Sequence, residues 1–560
     1  MATRRPRMLR RLASGLACLV IGAAFGTIGA ALRTARAADA PVTPPAAAPT
    51  EPKRKGEEAA AAWFAGPVGE LVIELEPADV AALRASPRTY VPCRLREGAD
   101  VVHERVAVKL KGAAGSFRPL DEQPSFTLAF EHFRDGPRFH GLEKLHLNAS
   151  VQDDTRLHEA LCADLCEAAG VPVPRVTHAR VRLGTRDLGL YVVKEGVDKR
   201  FLARHFDPAN GNLYDGGFCT DVDGELEKDA GKGPDDRRDL AALVAACQEP
   251  DLTLRPARLE AVLDVDAFLT FVALERMLGH WDGYATNRNN YRLYFRPPGV
   301  AVFLPHGMDQ VFEDPEASVL DPCVGLVADA VLAVPAFRAR YRARLVALLP
   351  LFDAGTSLLP RMRARLARIA PAVAALGPAA AVAHAERVAD LEARLVARAA
   401  SLREQVKRPD PQGLEFDAKG RAFVPGFTPR VDEGEATLEQ EDRAGRRAYG
   451  LRVAQGASVV ASWRRRVVLP KGRYTFEGTL TVKNVTPRRD AEGSGAGLRL
   501  SGGVRKGGAS GSAPWKPTTL DFEVLEALAS VELVAELRAT SGEAWWAVDA
   551  FRLVRRAAAK

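Results

Sequence analysis

A short polar segment near the middle of the chain constrains the fold more than any other feature. Asp282 and Asn287 directly follow an apolar stretch with helical periodicity. A predicted β-hairpin with its turn at 297–299 comes next, and Asp309 follows the second strand of that hairpin. A fold that brings these three side chains together must pack a helix, a polar loop and a hairpin around one cleft.

The spacing of this segment predicts phosphoryl-transfer chemistry. From His280 to Asn287 it reads His-x-Asp-x-x-x-x-Asn, which is the spacing of a protein-kinase catalytic loop. In that arrangement Asp282 would orient an attacking hydroxyl, while Asn287 and Asp309 would hold metal ions that bridge phosphates. The simpler interpretation is that Asp282 caps the turn after the helix and that 287–290 is a solvated, Asn-rich turn.

The basic charge of the chain comes from its first 37 residues. The formal net charge is +7, and residues 1–37 contain seven arginines and no acidic residue. The remainder is formally neutral and has no basic stripe with interleaved aromatic side chains. Nucleic acid is therefore not an expected partner.

Residues 1–37 have the pattern of a secretory signal peptide. Arginines precede an uncharged stretch at 12–32, and Ala35-Arg36-Ala37 supplies a small-x-small cleavage pattern. The alternative is an uncleaved anchor, because 12–32 is long enough to span a bilayer. We expect a secreted, periplasmic or cell-envelope protein with no membrane contact beyond this segment. Six cysteines remain besides Cys18, and the sequence does not select among their pairings.

Composition and periodicity divide the chain into five predicted segments. They are a signal peptide (1–37), an Ala/Pro-rich linker (38–62), a domain with strands first and helices later (63–407), a second linker (408–434) and an antiparallel β-sandwich (435–560). The polar segment lies between the strand-rich and helix-rich halves of 63–407. We therefore expect two lobes with a site between them.

Short motifs in a fixed order make residues 74–320 similar to the CotH kinase family, atypical secretory-type kinases named for a bacterial spore-coat protein. The motifs include Leu145-His146-Leu147-Asn148, Gly211-Asn212-Leu213-Tyr214, Trp281-Asp282-Gly283-Tyr284, Asn287-Arg288-Asn289-Asn290-Tyr291 and Asp309-Gln310-Val311-Phe312. The resemblance implies the α+β class, with a two-lobed atypical protein-kinase-like domain followed by a C-terminal antiparallel, jelly-roll-like β-sandwich. It further implies an enzyme that uses ATP with Mg²⁺ or Mn²⁺ and phosphorylates Ser or Thr of an exported protein substrate.

The resemblance also assigns roles by position. Asp282 matches the catalytic Asp, Asn287 a metal ligand and Asp309 the metal-binding Asp. Lys111 is the candidate phosphate-neutralising lysine, with Glu195 as its ion-pair partner. Lys194 is the alternative nucleotide lysine, but strand alternation points Lys194 and Glu195 to opposite faces.

The chain departs from the family pattern just before Asp309. Relatives commonly have Trp-Asp-x-Asp there, and this chain has His306-Gly307-Met308-Asp309, so one of the two carboxylates is missing. The alternative function is therefore a catalytically inactive, kinase-like envelope scaffold whose sandwich binds glycan.

The predicted sandwich contains four of the six tryptophans of the chain, at positions 463, 515, 545 and 546. Aromatic rings on exported β-sandwich domains often stack on sugars, and this domain resembles a carbohydrate-binding or galactose-binding-like module. A polysaccharide is therefore a candidate partner through the C-terminal domain. The alternative is that these rings are core, since one of the neighbours Trp545 and Trp546 must point inward.

Overall fold

The computed structural model describes residues 51–113, 115–133, 138–232, 235–410, 414–454, 456, 458–488, 493–503 and 507–556. The predicted signal peptide and the first part of the predicted linker, 38–50, lie outside the described residues. These described residues form one compact unit.

The first part of this unit is a closed β-barrel. Its strands follow one another in the order β1-β2-β3-β4-β5-β7-β6, and a parallel pairing of β1 with β6 closes the barrel. The strands are β1 (Gly69–Glu74), β2 (Val91–Glu97), β3 (Val101–Lys111), β4 (Ser125–Ala129), β5 (Lys144–Asn148), β6 (Val176–Leu183) and β7 (Arg186–Glu195). Leu110 and Val193 are fully buried inside the barrel. Because side chains alternate along a strand, Lys111 and Lys194 lie on its outer face.

Three helices accompany the barrel, and the first corrects a prediction. They are α1 (Glu51–Ala65), α2 (Pro77–Ala85) and α3 (His158–Ala168). The predicted linker at 38–62 is wrong over its C-terminal part, because α1 buries Ala60 and Phe64 against the barrel core. Trp63 also donates a hydrogen bond from Nε1 to Glu97 Oε1 at 2.7 Å. These contacts fix a segment whose Ala-rich composition resembles that of a spacer.

The second part combines a small sheet with helices. The sheet has the order β11-β10-β8-β9, and its strands are β8 (Asn212–Asp215), β9 (Glu227–Ala230), β10 (Tyr291–Arg296) and β11 (Val300–Pro305). The helices are α4 (Lys199–His205), α5 (Arg238–Cys247), α6 (Arg255–Val262), α7 (Val265–Leu278), α8 (Tyr284–Asn287), α9 (Leu326–Leu332), α10 (Pro335–Leu348), α11 (Leu359–Ala374) and α12 (Pro378–Gln405). Their core includes Leu190 and Val192 from the outer face of β7, so the barrel packs directly on this part.

Among the described residues no single helix is long and apolar enough to cross a membrane. One bent pair of helical segments, Pro335–Phe352 and Ala354–Ala374, meets the criteria of length and composition only when its two members are taken together. Tyr341 and Met362 from this pair are buried in the core of the second part.

The C-terminal part is all β. Its sheet has the order β12-β19-β16-β18-β15-β14, with β13 paired to β16 and β17 paired to β18. The strands are β12 (Arg421–Phe423), β13 (Thr428–Glu433), β14 (Thr437–Arg443), β15 (Arg446–Val453), β16 (Val459–Pro487), β17 (Gly495–Leu500), β18 (Gly511–Ala547) and β19 (Arg552–Arg556). These strands enclose a separate, sandwich-like core. The predicted linker at 408–434 is wrong where β12 and β13 already pair with this sheet.

Candidate functional site

The loop that carries Asp282 is held by the helix before it. Helix α7 ends at Gly279, whose φ of 66° is left-handed and turns the chain out of the helix. The buried carboxylate of Glu275, on α7, accepts hydrogen bonds from the backbone N–H groups of Tyr284 and Ala285, each at 2.9 Å. These two bonds fix the start of the short helix α8, which ends at Asn287.

Three asparagine side chains hold the carboxylate of Asp282. Asn287 donates from Nδ2 to Oδ1 at 2.6 Å, while Asn289 and Asn290 donate to Oδ2 at 3.0 and 2.8 Å. The Asn-rich turn is therefore a set of amide donors around one carboxylate rather than a solvated turn. Its donors fix the direction in which Asp282 points and stabilise its negative charge.

Gly307, in the segment where the chain departs from the family pattern, packs closely against Asn290. Its φ is +55°, and a Cβ atom at this position would lie 2.2 Å from Asn290 Oδ1. Its carbonyl oxygen accepts a hydrogen bond from Nε2 of the buried His280 at 3.0 Å. A residue with a side chain at 307 would thus displace an amide that holds Asp282.

A buried ion pair faces this loop from the barrel. Lys194, on the outer face of β7, donates from Nζ to both carboxylate oxygens of Glu159, each at 2.7 Å. Glu159 lies in the first turn of α3, and the two side chains are only 3% and 2% exposed. Burial lowers the pKa of His280 to about 4, the charges of Asp282 and Glu159 act in the opposite direction, and Lys194 lowers it further. The loop and the ion pair are therefore close enough to interact electrostatically, and together they form the candidate cleft.

The predicted ion pair between Lys111 and Glu195 is wrong. Lys111 donates instead to Asn148 Oδ1 at 2.6 Å. Glu195 points to the opposite side of β7 and accepts bonds from Arg204 and from the backbone N–H of Arg175. Strand alternation is the physical reason, because it sends Lys194 rather than Glu195 toward α3.

Lys111 nevertheless lies in the cleft. Burial and the neighbouring charge of Lys194 lower its pKa to about 8, while Glu159 and Asp309 act in the opposite direction. Two cations and two carboxylates therefore interact electrostatically in this region. The sequence indicated Lys111 and Lys194 as candidate nucleotide lysines but gave Glu159 no role, and its position as the acidic residue in the first turn of α3 was the available signal.

Asp309 completes the group. Burial and the nearby charge of Glu159 raise the pKa of its carboxyl to about 6, and Lys194 lowers it. Its backbone oxygen accepts a hydrogen bond from Nδ1 of the buried His158 at 2.7 Å. The carboxyl itself is bonded to no other side chain in the part of the chain that the structure describes.

The donor set fits a divalent cation that is bound together with phosphates. The Asn287 amide donates to Asp282 and so leaves its own oxygen free as an acceptor, and Asp309 supplies a carboxylate. The described residues contain no group of three or more His, Cys, Asp or Glu side chains placed to hold a metal. Mg²⁺ commonly takes one or two carboxylates and completes its shell with phosphate oxygens and water.

Two histidines to which the sequence assigned no role interact with the same lysines. Burial and the charges of Lys111, Lys194 and Arg292 lower the pKa values of His146 and His306 well below the ordinary range. Both imidazoles are therefore neutral at pH 7. His146 is bonded to Thr127 across the barrel strands, with 3.1 Å between Nδ1 and Oγ1.

Three of the four sandwich tryptophans belong to its core. Trp463, Trp545 and Trp546 are 3%, 1% and 0% exposed, so they cannot stack on a sugar. Trp515 is only partly buried, and the guanidinium of Arg446 lies 5.6 Å from its ring centroid. Arg446 in turn pairs with Asp549 at 2.8 Å.

Several solved carbohydrate-binding modules are similar to part of this chain. A CBM61 module in complex with β-1,4-galactotriose is 18% identical, covers 24% of this chain and 90% of its own, and has a TM-score of 0.17. The CBM35 from Cellvibrio japonicus Abf62 is 24% identical over 23% of this chain and 87% of its own, with a TM-score of 0.15. The module Xyl-CBM35, in complex with a glucuronic acid-containing disaccharide, is 21% identical over 26% of this chain and 95% of its own, also with a TM-score of 0.15. These TM-scores are too low for the similarities to carry an argument.

No curated protein matches the chain significantly. The family model described as CotH kinase protein matches residues 108–373, a little under half of the chain. The match contains Lys111, Glu159, Lys194, Asp282, Asn287 and Asp309. Residues 108–373 are therefore similar to the CotH kinase family.

Proposed function

We propose that this protein is an exported atypical kinase that transfers the γ-phosphate of ATP to a Ser or Thr hydroxyl of an extracytoplasmic protein. The observation that carries the proposal is the buried Lys194–Glu159 ion pair in one cleft with Asp282 and Asp309. Protein kinases use such a lysine–glutamate pair to hold nucleotide phosphates. The similarity to the CotH kinase family supports a kinase-type activity in general.

The side chains of the cleft suit phosphoryl transfer as follows. Lys194 and Lys111 would neutralise phosphate oxygens, and Asp309 with the Asn287 oxygen would hold the divalent cation, which supplies further charge neutralisation. Asp282 would accept the proton of the attacking hydroxyl. The hydroxyl oxygen forms the new bond to the γ-phosphorus, the bond to the β,γ-bridging oxygen breaks, and ADP leaves with that electron pair.

Transfer from radiolabelled ATP tests the proposal. The mature chain from Ala38 is incubated with γ-labelled ATP, Mg²⁺ or Mn²⁺, and a Ser/Thr-rich acceptor protein, and labelled protein is measured. Asp282→Asn should abolish transfer while ADP still binds, and the exposed Asp321→Asn should transfer like the parent chain. Equal labelling by Asp282→Asn and the parent chain, or no labelling with either metal, would contradict the proposal.

A second candidate function, glycan binding by the C-terminal part, rests on Trp515. A partly exposed indole beside the Arg446–Asp549 pair offers a ring face and polar groups to a sugar. Polysaccharide pull-down with the full mature chain tests this candidate. Trp515→Ala should lose retention and Phe423→Ala, which alters an exposed ring on β12, should keep it. Equal retention of both variants would remove Trp515 from the account.

A further inference from the structure

A cavity of about 720 Å³ lies behind α3, away from the cleft. Its walls come from α1, α3, α4, α11 and the loop at 170–176. Apolar side chains, including Phe64, Val171 and Pro172, form much of its lining. This volume is within the range that encloses a small organic molecule.

Four arginines line the cavity, from three different elements. Arg175 comes from the loop after α3, Arg204 from α4, and Arg365 and Arg368 from α11. Arg365 forms a two-pronged pair with Asp164 of α3. Arg368 bonds only backbone oxygens and Thr177 Oγ1, and it forms no ion pair with any residue that the structure describes. One guanidinium is thus left without a carboxylate.

The arginines around the cavity repel one another, although Asp164 and Glu167 also line it and Glu57 and Glu195 pair with Arg175 and Arg204. Burial and the neighbouring Arg365 lower the pKa of Arg368. Burial also lowers the pKa of Arg175, and the neighbouring Arg204 adds to that effect. Burial and the charges of Arg204 and Arg175 lower the pKa of His205 to about 4. An added anion would relieve these repulsions.

Two buried guanidinium nitrogen atoms around the cavity have no hydrogen-bond partner among the residues that the structure describes. They are Nη1 of Arg175 and Nε of Arg204, which lie 3.7 and 3.8 Å from carboxylate oxygens of Glu195 and Glu57, beyond hydrogen-bond distance. Buried polar groups in proteins are ordinarily bonded, and each unmet donor costs about 1–3 kcal/mol. Unmet groups beside an open volume point to a ligand that would complete them.

Glu57 of α1 already places an anion at one end of this group. Its carboxylate pairs with Arg175, and its Oε1 lies 3.8 Å from Nε of Arg204. The Glu57 side chain is 43% exposed, whereas Glu195, which contacts the same two arginines, is 2% exposed. Glu57 is therefore a weakly held carboxylate that an external anion could replace.

We propose that this cavity binds a small molecule that carries a phosphate monoester on an apolar body. Guanidinium groups match phosphate oxygens through paired N–H donors, and a phosphate offers more acceptor oxygens than a carboxylate does. The apolar lining would take the body of the ligand. The site is distinct from the cleft, because Glu195 and Lys194 are adjacent on β7 and point to opposite sides.

Calorimetric titration of the full mature chain with phenyl phosphate tests this site, without nucleotide or divalent metal. Saturable binding is expected. Glu57→Gln should bind about two- to fivefold tighter, because a partly exposed competing ion pair has been removed. Arg368→Gln should bind at least about fivefold more weakly, as expected for the loss of a charge-assisted bond.

Arg363→Gln is the matched control. Arg363 is also on α11, but it pairs with Glu392 at 2.9 Å and does not line the cavity. The Arg363→Gln variant should therefore bind phenyl phosphate as tightly as the parent chain does. Thermal melts would check that each variant folds. If Arg368→Gln does not fold, the affinity of Glu57→Gln alone tests the site. The proposal is overturned by absent saturable binding in both the parent chain and Glu57→Gln. It is also overturned by equal affinity in all variants, which would place the ligand in the cleft, or by benzoate binding as tightly as phenyl phosphate.

Discussion

Replacing Lys194 with methionine is expected to destabilise the protein strongly. The change leaves the Glu159 carboxylate, 2% exposed, without the ammonium group that lies 2.7 Å away. Breaking a buried ion pair from one side typically costs 3–5 kcal/mol. Lys111 lies close enough to interact with Glu159, so we expect the lower end, about 3 kcal/mol. Urea unfolding of the full mature chain, followed by tryptophan fluorescence and circular dichroism, measures this loss.

Two further variants make the result specific to the pair. The double variant Lys194→Met with Glu159→Gln should recover most of the lost stability, because no uncompensated buried charge remains. Lys199→Met is the control. Lys199 lies 3.2 Å from Glu143 but is 65% exposed, so its loss should cost less than about 1 kcal/mol. The prediction is wrong if the unfolding free energy of Lys194→Met lies within about 0.5 kcal/mol of that of the parent chain. It is also wrong if the stability effects of Lys194→Met and Glu159→Gln simply add in the double variant.

Two other predictions concern the same cleft. The pKa of Asp309 is raised from 3.8 in the unfolded chain to about 6 in the folded protein. Ionised Asp309 therefore lowers the free energy of unfolding above pH 6, and this loss disappears below pH 3.8. Asp309→Asn should therefore be about 1–3 kcal/mol more stable than the parent chain at pH 8 and equally stable near pH 4, in urea unfolding at the two pH values. A constant difference at both pH values would refute this. Gly307→Ala should cost about 2 kcal/mol or more and reduce phosphate transfer, since its Cβ would displace Asn290 from Asp282. Unchanged stability and transfer would contradict that account.

The local part of the site could be predicted from the sequence, and the long-range part could not. Asp282, Asn287 and Asp309 are placed by a helix end, a loop and a hairpin, all within one segment. The ion pair joins Lys194 to Glu159, 35 residues earlier in the chain. Strand alternation gives the side of β7 to which Lys194 points, but only packing shows that α3 lies there.

The same limit explains the other differences. The Ala-rich residues of α1 resemble a spacer until Ala60 and Phe64 are seen against the barrel core. The tryptophans of the sandwich have strand patterns that fit core or surface equally, and the fold buries three of the four. The two-lobed kinase-like arrangement and the roles of the site residues stay predictions.

Thermal unfolding of the mature chain with Mg-ATP or Mn-ATP, beside Asp309→Ala, is the most direct test for a nucleotide site. A nucleotide at about a hundred times its Kd should stabilise the folded state by about 2.7 kcal/mol. We expect ATP to raise the Tm of the parent chain only when the metal is present, and we expect no rise in Asp309→Ala. No rise with either metal, or the same rise in Asp309→Ala, would contradict a nucleotide site built around Lys194, Glu159 and Asp309.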